Sequence, residues 1–222
     1  MDVLRLLDLF CGAGGCSVGY ARAGFEVVGI DAAPQLRYPY EFVQADAMTY
    51  PLDGFDAIHA SPPCHGHSAL NVVNEIEYGT EWMLAATIKR LTDHGAPFIV
   101  ENVAGARAHM PGALQLCGTE FGLMTRMESY GEVWLARHRL FLSNIHLLGA
   151  GGCHCYGRRI VGVYGHGGGG PKASVRGPGT AQASREVMGI DWMTRDELDE
   201  AIPPAYTQFL GEQLLDALER AA

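Results

Sequence analysis

The residue of this chain best suited to covalent chemistry is Cys64, in the run Ser61-Pro62-Pro63-Cys64-His65-Gly66-His67-Ser68. A free cysteine is usually a small apolar core residue. Here Pro, Gly, His and Ser mark a loop, and the two prolines stiffen the turn that presents the thiol. An exposed thiol on a stiff turn is a nucleophile in waiting. Glu101-Asn102-Val103 follows the apolar run Phe98 to Val100, which reads as a strand with its carboxylate at the end. That carboxylate either joins Cys64 at one sheet edge or makes a structural ion pair. Arg137-His138-Arg139 precedes Leu140-Phe141-Leu142, and a period of two places both guanidiniums on one face of a strand. Ordinary surface cations are the alternative.

A second constellation could hold a ligand. Asp8-Leu9-Phe10-Cys11-Gly12-Ala13-Gly14-Gly15 joins a strand to a helix, where glycines let the backbone approach a bound molecule. Glycine spacing alone does not separate a dinucleotide, a nucleoside and a tight turn. Asp31, at the end of the next strand, is placed to accept from ribose hydroxyls. Asp46, after a third short strand, could accept from the exocyclic amine of adenine. Solvated strand-terminal carboxylates are the plain alternative, but together the pair favours an adenosine-containing cofactor.

The elements that must carry these groups alternate as in a parallel α/β sheet. Strands are expected at Leu4 to Phe10, Phe25 to Ile30, Phe42 to Ala45, Phe55 to Ala60 and Pro97 to Val100. Helices are expected after the first glycine loop through about Ala23, and from about Thr80 to His94. Every candidate group then falls at a strand end, where open α/β sheets place their sites. Beyond Gly149 the texture turns to Gly, His and Arg, which predicts a loop-rich insert. Helical patterning returns from Ser184, turns at Pro203-Pro204 and closes with an amphipathic helix from Ala205 to about Leu218. The expected division is a catalytic and cofactor-binding domain over 1–142, a reduced recognition region over 143–186, and C-terminal helices over 187–222.

At 222 residues and 48% hydrophobic the chain can bury a full core. No stretch reaches the roughly 18 apolar residues of a membrane span, so the expectation is a cytoplasmic protein with no membrane partner. Six cysteines without regular spacing imply reduced thiols rather than a disulfide scaffold. The net charge of −9 argues against a nucleic-acid partner until its distribution is read. From Arg137 to Arg185 there are seven basic residues and no acid, leaving nine basic and all 25 acidic residues elsewhere. That pattern is either an acid-free glycine loop or a basic face on an acidic protein.

The ordered set Asp8-Leu9-Phe10-x-Gly12-x-Gly14-Gly15, Pro62-Pro63-Cys64, Glu101-Asn102-Val103 and Arg137-x-Arg139 resembles the DNA cytosine-5 methyltransferase family. The likeness covers about the first 142 residues and resumes near the C-terminus. It implies a doubly wound, mostly parallel sheet of the S-adenosylmethionine-dependent type, with a small loop-rich insert. It also implies methyl transfer from S-adenosylmethionine to C5 of a flipped-out cytosine in double-stranded DNA. By that resemblance Cys64 adds to C6, Glu101 bonds N3, Arg139 stabilises the developing charge and Arg137 assists. Asp8, Phe10, Gly12, Gly14, Gly15, Asp31, Asp46 and Pro63 would line the cofactor site.

Departures from the family pattern concern the DNA side. His65 stands where Gln is usual, and Leu135 replaces the Gln that often precedes the arginines. Ile202 to Gly211 resembles the last family motif, but Glu200-Ala201 replaces its opening Gly-Asn, so a cofactor contact is either missing or supplied by Thr207. The short insert implies a short target sequence, weak specificity, or help from a second copy of the chain (a homodimer) or a helper subunit. Arg158, Arg159, Lys172 and Arg176 are its candidate DNA contacts. Cys153-His154-Cys155 has too tight a spacing for a usual zinc knuckle and no matching second pair follows, although Cys117, His146 and His166 could be recruited; no metal is expected and the cysteines are read as loop packing. Two other functions remain open: the same chemistry on tRNA or a free cytosine nucleotide, and a catalytically silent regulator on the same fold.

Overall fold

The computed structural model describes residues 3–63, 81–163, 174–175 and 180–221. Strands β1 (Arg5–Leu9), β2 (Glu26–Asp31), β3 (Glu41–Gln44), β4 (Ala57–Ala60) and β5 (Phe98–Val103) pair in parallel. With β6 (Leu114–Leu116) and β9 (Arg139–Ser143) they form a seven-stranded sheet in the order β3-β2-β1-β4-β5-β9-β6. β9 runs antiparallel to both β5 and β6. The expected mostly parallel α/β sheet is therefore present.

A parallel sheet must be covered on both faces, and the strand sequences supply two apolar sets. Leu7, Leu9, Ile58, Phe98 and Val100 pack with Leu84 and Leu91 of α2 (Glu81–His94). Leu6, Val27, Ala57 and Ile99 pack on the other face, with Tyr20 of α1 (Gly15–Ala23) and Tyr206, Leu210 and Leu214 of the C-terminal helix α5 (Pro204–Ala221). Helices α1 and α5 lie very close. A Cβ on Gly19 would stand 2.0 Å from Thr207 Oγ1 and 2.3 Å from the Pro204 carbonyl oxygen, a contact only glycine tolerates.

The chain runs from β1 to β2 on one side and reaches β4 on the other, so the order of connection reverses between β1 and β4. Such a switch point opens a crevice beyond the strand ends. The Phe10-to-Gly14 loop leaves β1 there, and Ser61-Pro62-Pro63 leaves β4.

A second, four-stranded sheet has the order β11-β10-β8-β7. It contains the hairpin β7 (Met124–Met127) and β8 (Gly131–Trp134) with the two-residue strands β10 (Ile160–Val161) and β11 (Ser174–Val175). Its apolar side meets Val187 and Met188 of α3 (Thr180–Met188) and Leu198 of α4 (Arg195–Glu200). Thr194 and Glu197 close a reciprocal capping box at the start of α4. This sheet begins at Met124, so the expected boundary between 142 and 143 does not coincide with it. Strands of two to four residues carry too little alternation to register as a pattern. Among the described residues no helix is long and apolar enough to cross a membrane.

Candidate active site

At the end of β1 the backbone turns through three left-handed residues, Phe10 (φ 59), Gly12 (φ 49) and Gly14 (φ 87). For the two glycines this conformation is free, but for Phe10 it costs about 1 kcal/mol or more. Strain of this kind persists where surrounding contacts fix the loop. Asp31 Oδ2 accepts from the Gly12 amide at 3.1 Å, and Trp192 Nε1 donates to the Ala13 carbonyl at 3.0 Å. The other Asp31 oxygen accepts from the Ala33 amide at 2.9 Å. Each carboxylate oxygen has a second lone pair, so Asp31 can brace the loop and still receive a hydroxyl. A Cβ on Gly12 would meet nothing within 4 Å, which leaves open space on that side of the loop.

Asp8 lies beneath the same loop and is fully buried. Ser17 Oγ donates to its Oδ2, and Tyr38 Oη donates to Ser17 Oγ at 2.7 Å. Its Oδ1 is buried without a hydrogen-bond partner among the described residues. Burial pushes the Asp8 carboxyl up to about 7; the Ser17 hydrogen bond opposes this and the Asp31 charge adds to it. The sign of the linkage follows. With the folded value above the unfolded one, the native state holds a proton that the unfolded chain has released between about pH 4 and pH 7, so stability is fully present below that range and falls as pH rises through it. The span corresponds to about 4 kcal/mol. Asp8→Asn is expected to flatten the urea-midpoint profile between about pH 4 and pH 7. An unchanged slope would show that Asp8 does not hold the proton.

The opposite side of the crevice carries Glu101. The carboxylate sits near the end of β5, 5% exposed, with Arg139 Nε 3.0 Å from its Oε1. Its pairing register is opposite Phe141, two residues from Arg139 on β9. Burial raises the Glu101 carboxyl above its ordinary value, against the Arg139 and Arg137 charges and the Ser61 hydroxyl, which lower it. Ser61 is in turn held by His59 Nε2 at 2.8 Å, and His59 Nδ1 meets Tyr20 Oη at 2.9 Å. Burial drives the His59 imidazole down to about 3, so it is neutral and serves as a relay of hydrogen bonds beneath the site.

Asn102 joins the two halves. Its Nδ2 donates to the Pro62 carbonyl at 3.1 Å, fixing the turn that leads out of β4 beside the Glu101 strand. Pro62 is buried and Pro63 half-buried. Cys64 itself lies outside the described residues, as do Lys172 and Arg176.

Two expected site residues have other work. Arg137 precedes β9 instead of sharing a strand face with Arg139. It is 1% exposed, and its guanidinium donates to the Val163 carbonyl and, at 2.8 Å, to that of Asp199. It acts on Glu101 through its charge. Thr207 is fully buried and donates to the Cys16 carbonyl at 2.8 Å, which spends its hydroxyl on the α1–α5 contact and corrects the expectation that it faces a cofactor. Asp46 is exposed, and its oxygens accept from the Met48 amide at 2.9 Å and Thr49 Oγ1 at 3.2 Å, forming a turn after β3. Gly14 and Gly15 admit close neighbours: a Cβ would stand 2.8 Å from Pro39 Cδ and 2.6 Å from the Ile202 carbonyl oxygen respectively.

In the small sheet the Arg158 guanidinium stacks 3.8 Å from the Trp134 ring centroid and donates to the His154 carbonyl at 2.8 Å. Arg159 donates to the Tyr130 carbonyl. Both are exposed. Cys153 and Cys155, expected to pack their loop, are brought beside Cys117, one of the recruits the sequence offered, and His138, which it did not mark. Sequence reasoning also missed Tyr20, His59, Tyr38 and Trp192, whose roles depend on which strands become neighbours.

Comparison with known proteins puts the geometry in context. A model described as C-5 cytosine-specific DNA methylase matches residues 4–116. The Type II methylase M.HgiDII of Herpetosiphon aurantiacus is 30% identical over 125 residues, 48% of this chain, which spans about a third of that relative (35%). A solved structure described as a DNA modification methyltransferase encoded within an E. coli prophage is similar, with a TM-score of 0.63 and 13% identity over 97% of this chain and 99% of that one. The S. pombe Dnmt2 methyltransferase gives a TM-score of 0.61 and 12% identity over 98% of this chain and 99% of that one. At such identities the two structures speak for the fold.

Proposed function

This chain belongs to the C-5 cytosine-specific DNA methylase family, and from that premise we propose that it methylates C5 of cytosine in duplex DNA through a covalent adduct of Cys64 with C6. The observation that carries the reading is the buried Glu101, paired with Arg139 at 3.0 Å, on the strand whose Asn102 holds Pro62 at 3.1 Å. A thiol leaving that turn and a carboxyl at its side are the two groups that activation of a cytosine ring needs.

S-adenosylmethionine is the methyl donor of the family, and the β1 crevice suits it. The loop with three left-handed residues, the open space at Gly12, the spare lone pairs of Asp31 and the orphaned Asp8 Oδ1 form a cradle with unmet polar capacity. Asp8, Phe10, Gly12, Gly14, Asp31 and Pro63 would hold the donor. When bound, the donor supplies an electrophilic methyl group on a sulfonium centre.

The remaining steps belong to the chain. Cytosine C5 is a poor nucleophile, so the Cys64 thiolate adds to C6 and turns the ring into an enamine. Electron density moves toward N3, where a protonated Glu101 donates its hydrogen; burial favours that neutral form. Arg139 beside it stabilises charge developing on the ring. After C5 has taken the methyl group, loss of the C5 proton and elimination of the Cys64 sulfur restore the aromatic ring. The base must leave the duplex for this, at a cost of a few kcal/mol, and the exposed Arg158 and Arg159, just before β10, would offset it through contacts to DNA phosphates.

The deciding experiment gives the purified protein S-adenosylmethionine with a labelled methyl group and offers duplex DNA, tRNA or dCMP separately. Label is expected in DNA, at C5 of cytosine after digestion to nucleosides. Label confined to tRNA or dCMP, or none in any acceptor while the donor binds, would overturn the reading.

A further inference from the structure

Four candidate ligands meet at the junction of the two sheets, away from the crevice. Cys117 follows β6 and caps the short 3-10 turn Gly118–Phe121. His138 lies between Arg137 and the start of β9. Cys153 and Cys155 come from the loop beyond, which two left-handed glycines, Gly151 (φ 109) and Gly152 (φ 93), turn toward them. The ligand atoms of all four lie within 4.8 Å of one another. His138 Nε2 is 3.3 Å from Cys153 Sγ and 3.7 Å from Cys155 Sγ, and the two sulfurs are 3.2 Å apart.

These separations decide between readings. A disulfide needs sulfurs about 2.05 Å apart, well inside the 3.2 Å observed. A tetrahedral zinc ion with Zn–S bonds of about 2.3 Å and a Zn–N bond of about 2.0 Å implies S···S edges near 3.8 Å and N···S edges near 3.5 Å. The His138 spacings of 3.3 and 3.7 Å bracket the N···S edge, whereas the two sulfurs at 3.2 Å stand closer than the S···S edge, and rotation of the Cys153 and Cys155 side chains would open them around an ion. Loop packing alone gives no reason for one imidazole nitrogen to face two thiols while a third is enclosed beside them.

We propose that Cys117, His138, Cys153 and Cys155 bind one zinc ion in a closed structural site. Three soft thiolates and an imidazole in four-fold array select zinc over the oxygen-seeking cations, and four protein ligands leave no position for substrate. Binding displaces the thiol protons to solvent. The surroundings are those of a braced ligand set. Thr119 Oγ1 lies 3.2 Å from Cys117 Sγ and accepts from the His154 amide at 3.0 Å, while the Cys155 amide points to Cys153 Sγ at 3.5 Å.

The site explains how a small region is held to the catalytic sheet. Its local apolar cluster is slight, with Cys117, Ala136 and Ile160 buried and Trp134 and Cys155 packed against them. A metal tying three chain segments would reinforce that slight cluster at the junction. It also fixes strand β9, because Arg139 donates to the His138 carbonyl at 3.0 Å while pairing with Glu101. All four ligands lie beyond residue 116, where the matched stretch ends. It stands independently of the proposed methylation.

The test is metal content of the full chain, purified under reducing conditions and dialysed without chelator, by mass spectrometry. About one zinc per chain is expected, and cobalt exchange should give the thiolate-to-metal charge-transfer band and strong visible bands of a tetrahedral sulfur site. The double variant Cys153→Ser/Cys155→Ser, on the exposed loop, should lose both the zinc and the cobalt spectrum. His146→Ala, an exposed histidine outside the cluster, should keep them. Since a ligand variant could unfold, wild-type protein is also stripped with chelator and followed by circular dichroism and melting temperature, with recovery on adding zinc. Wild-type protein without metal, zinc retained by the double variant, or an intact mass showing a Cys153–Cys155 disulfide would each overturn the proposal.

Discussion

Cys64→Ala is expected to abolish methyl transfer to DNA, by at least about 10⁴-fold, because it removes the only covalent route and leaves binding and orientation alone. The loss should fall on turnover. Donor affinity depends on the loop after β1 and its brace from Asp31 and Trp192, and DNA affinity on phosphate and groove contacts, none of which requires the thiol. Single-turnover transfer of labelled methyl, set beside equilibrium binding of donor and duplex, separates these quantities. Cys64→Ser sharpens the test, because a hydroxyl of similar size keeps the shape of the turn but ionises far less readily than a thiol. Both variants should therefore bind normally and fail to transfer. An alanine variant that keeps transfer within tenfold of wild type would sink the covalent route, whatever the affinities.

How far this site could be read in the sequence depends on how local each signal is. Asp8, the glycine loop and Asp31 sit at successive strand ends, and the α/β pattern alone puts them at one edge. Glu101 and Arg139 were also legible, because each adjoins an apolar run long enough to identify as a strand. Arg137 failed that reasoning. A period of two applies only inside a strand, and β9 begins at Arg139, so the side chain two positions earlier turns to the Val163 and Asp199 carbonyls. Thr207 failed for a related reason. Its helix does return beside the glycine loop, but Gly19 lets the two helices approach so closely that the hydroxyl is sealed between them.

The groups that no local pattern marks are those made by strand order. His59 is an apolar-strand residue in sequence, yet it links Tyr20 of α1 to Ser61 because β4 lies beside β1. Trp192 reaches Ala13 across 179 positions. The Cys153-x-Cys155 spacing looked wrong for a metal because its partners, Cys117 and His138, stand on opposite sides of the hairpin β7–β8. The second sheet was hidden for a different reason, since strands as short as Ile160–Val161 carry no period.

Glu101→Gln is expected to lower turnover by about 10³-fold, the loss of roughly 4 kcal/mol typical of removing a group that acts on developing charge. The amide keeps the shape and a hydrogen-bond donor but cannot deliver a proton to N3, nor match the Arg139 charge at 3.0 Å. The pH dependence discriminates between a proton donor and a prop. Productive enzyme has Glu101 protonated and the Cys64 thiol ionised, so wild-type turnover should rise and then fall with pH, whichever group titrates first. Burial, by raising the Glu101 carboxyl against its cationic neighbours, enlarges the fraction of enzyme in that state near neutrality. The glutamine variant retains only the thiol's ionisation. Its turnover should therefore climb with pH and level off, without a falling limb. Melting temperature must be followed alongside, because an arginine left beside an uncharged group inside the protein costs stability. A stable glutamine variant that still shows a bell would mean that another group supplies the proton, and would reduce Glu101 to holding Arg139 in place.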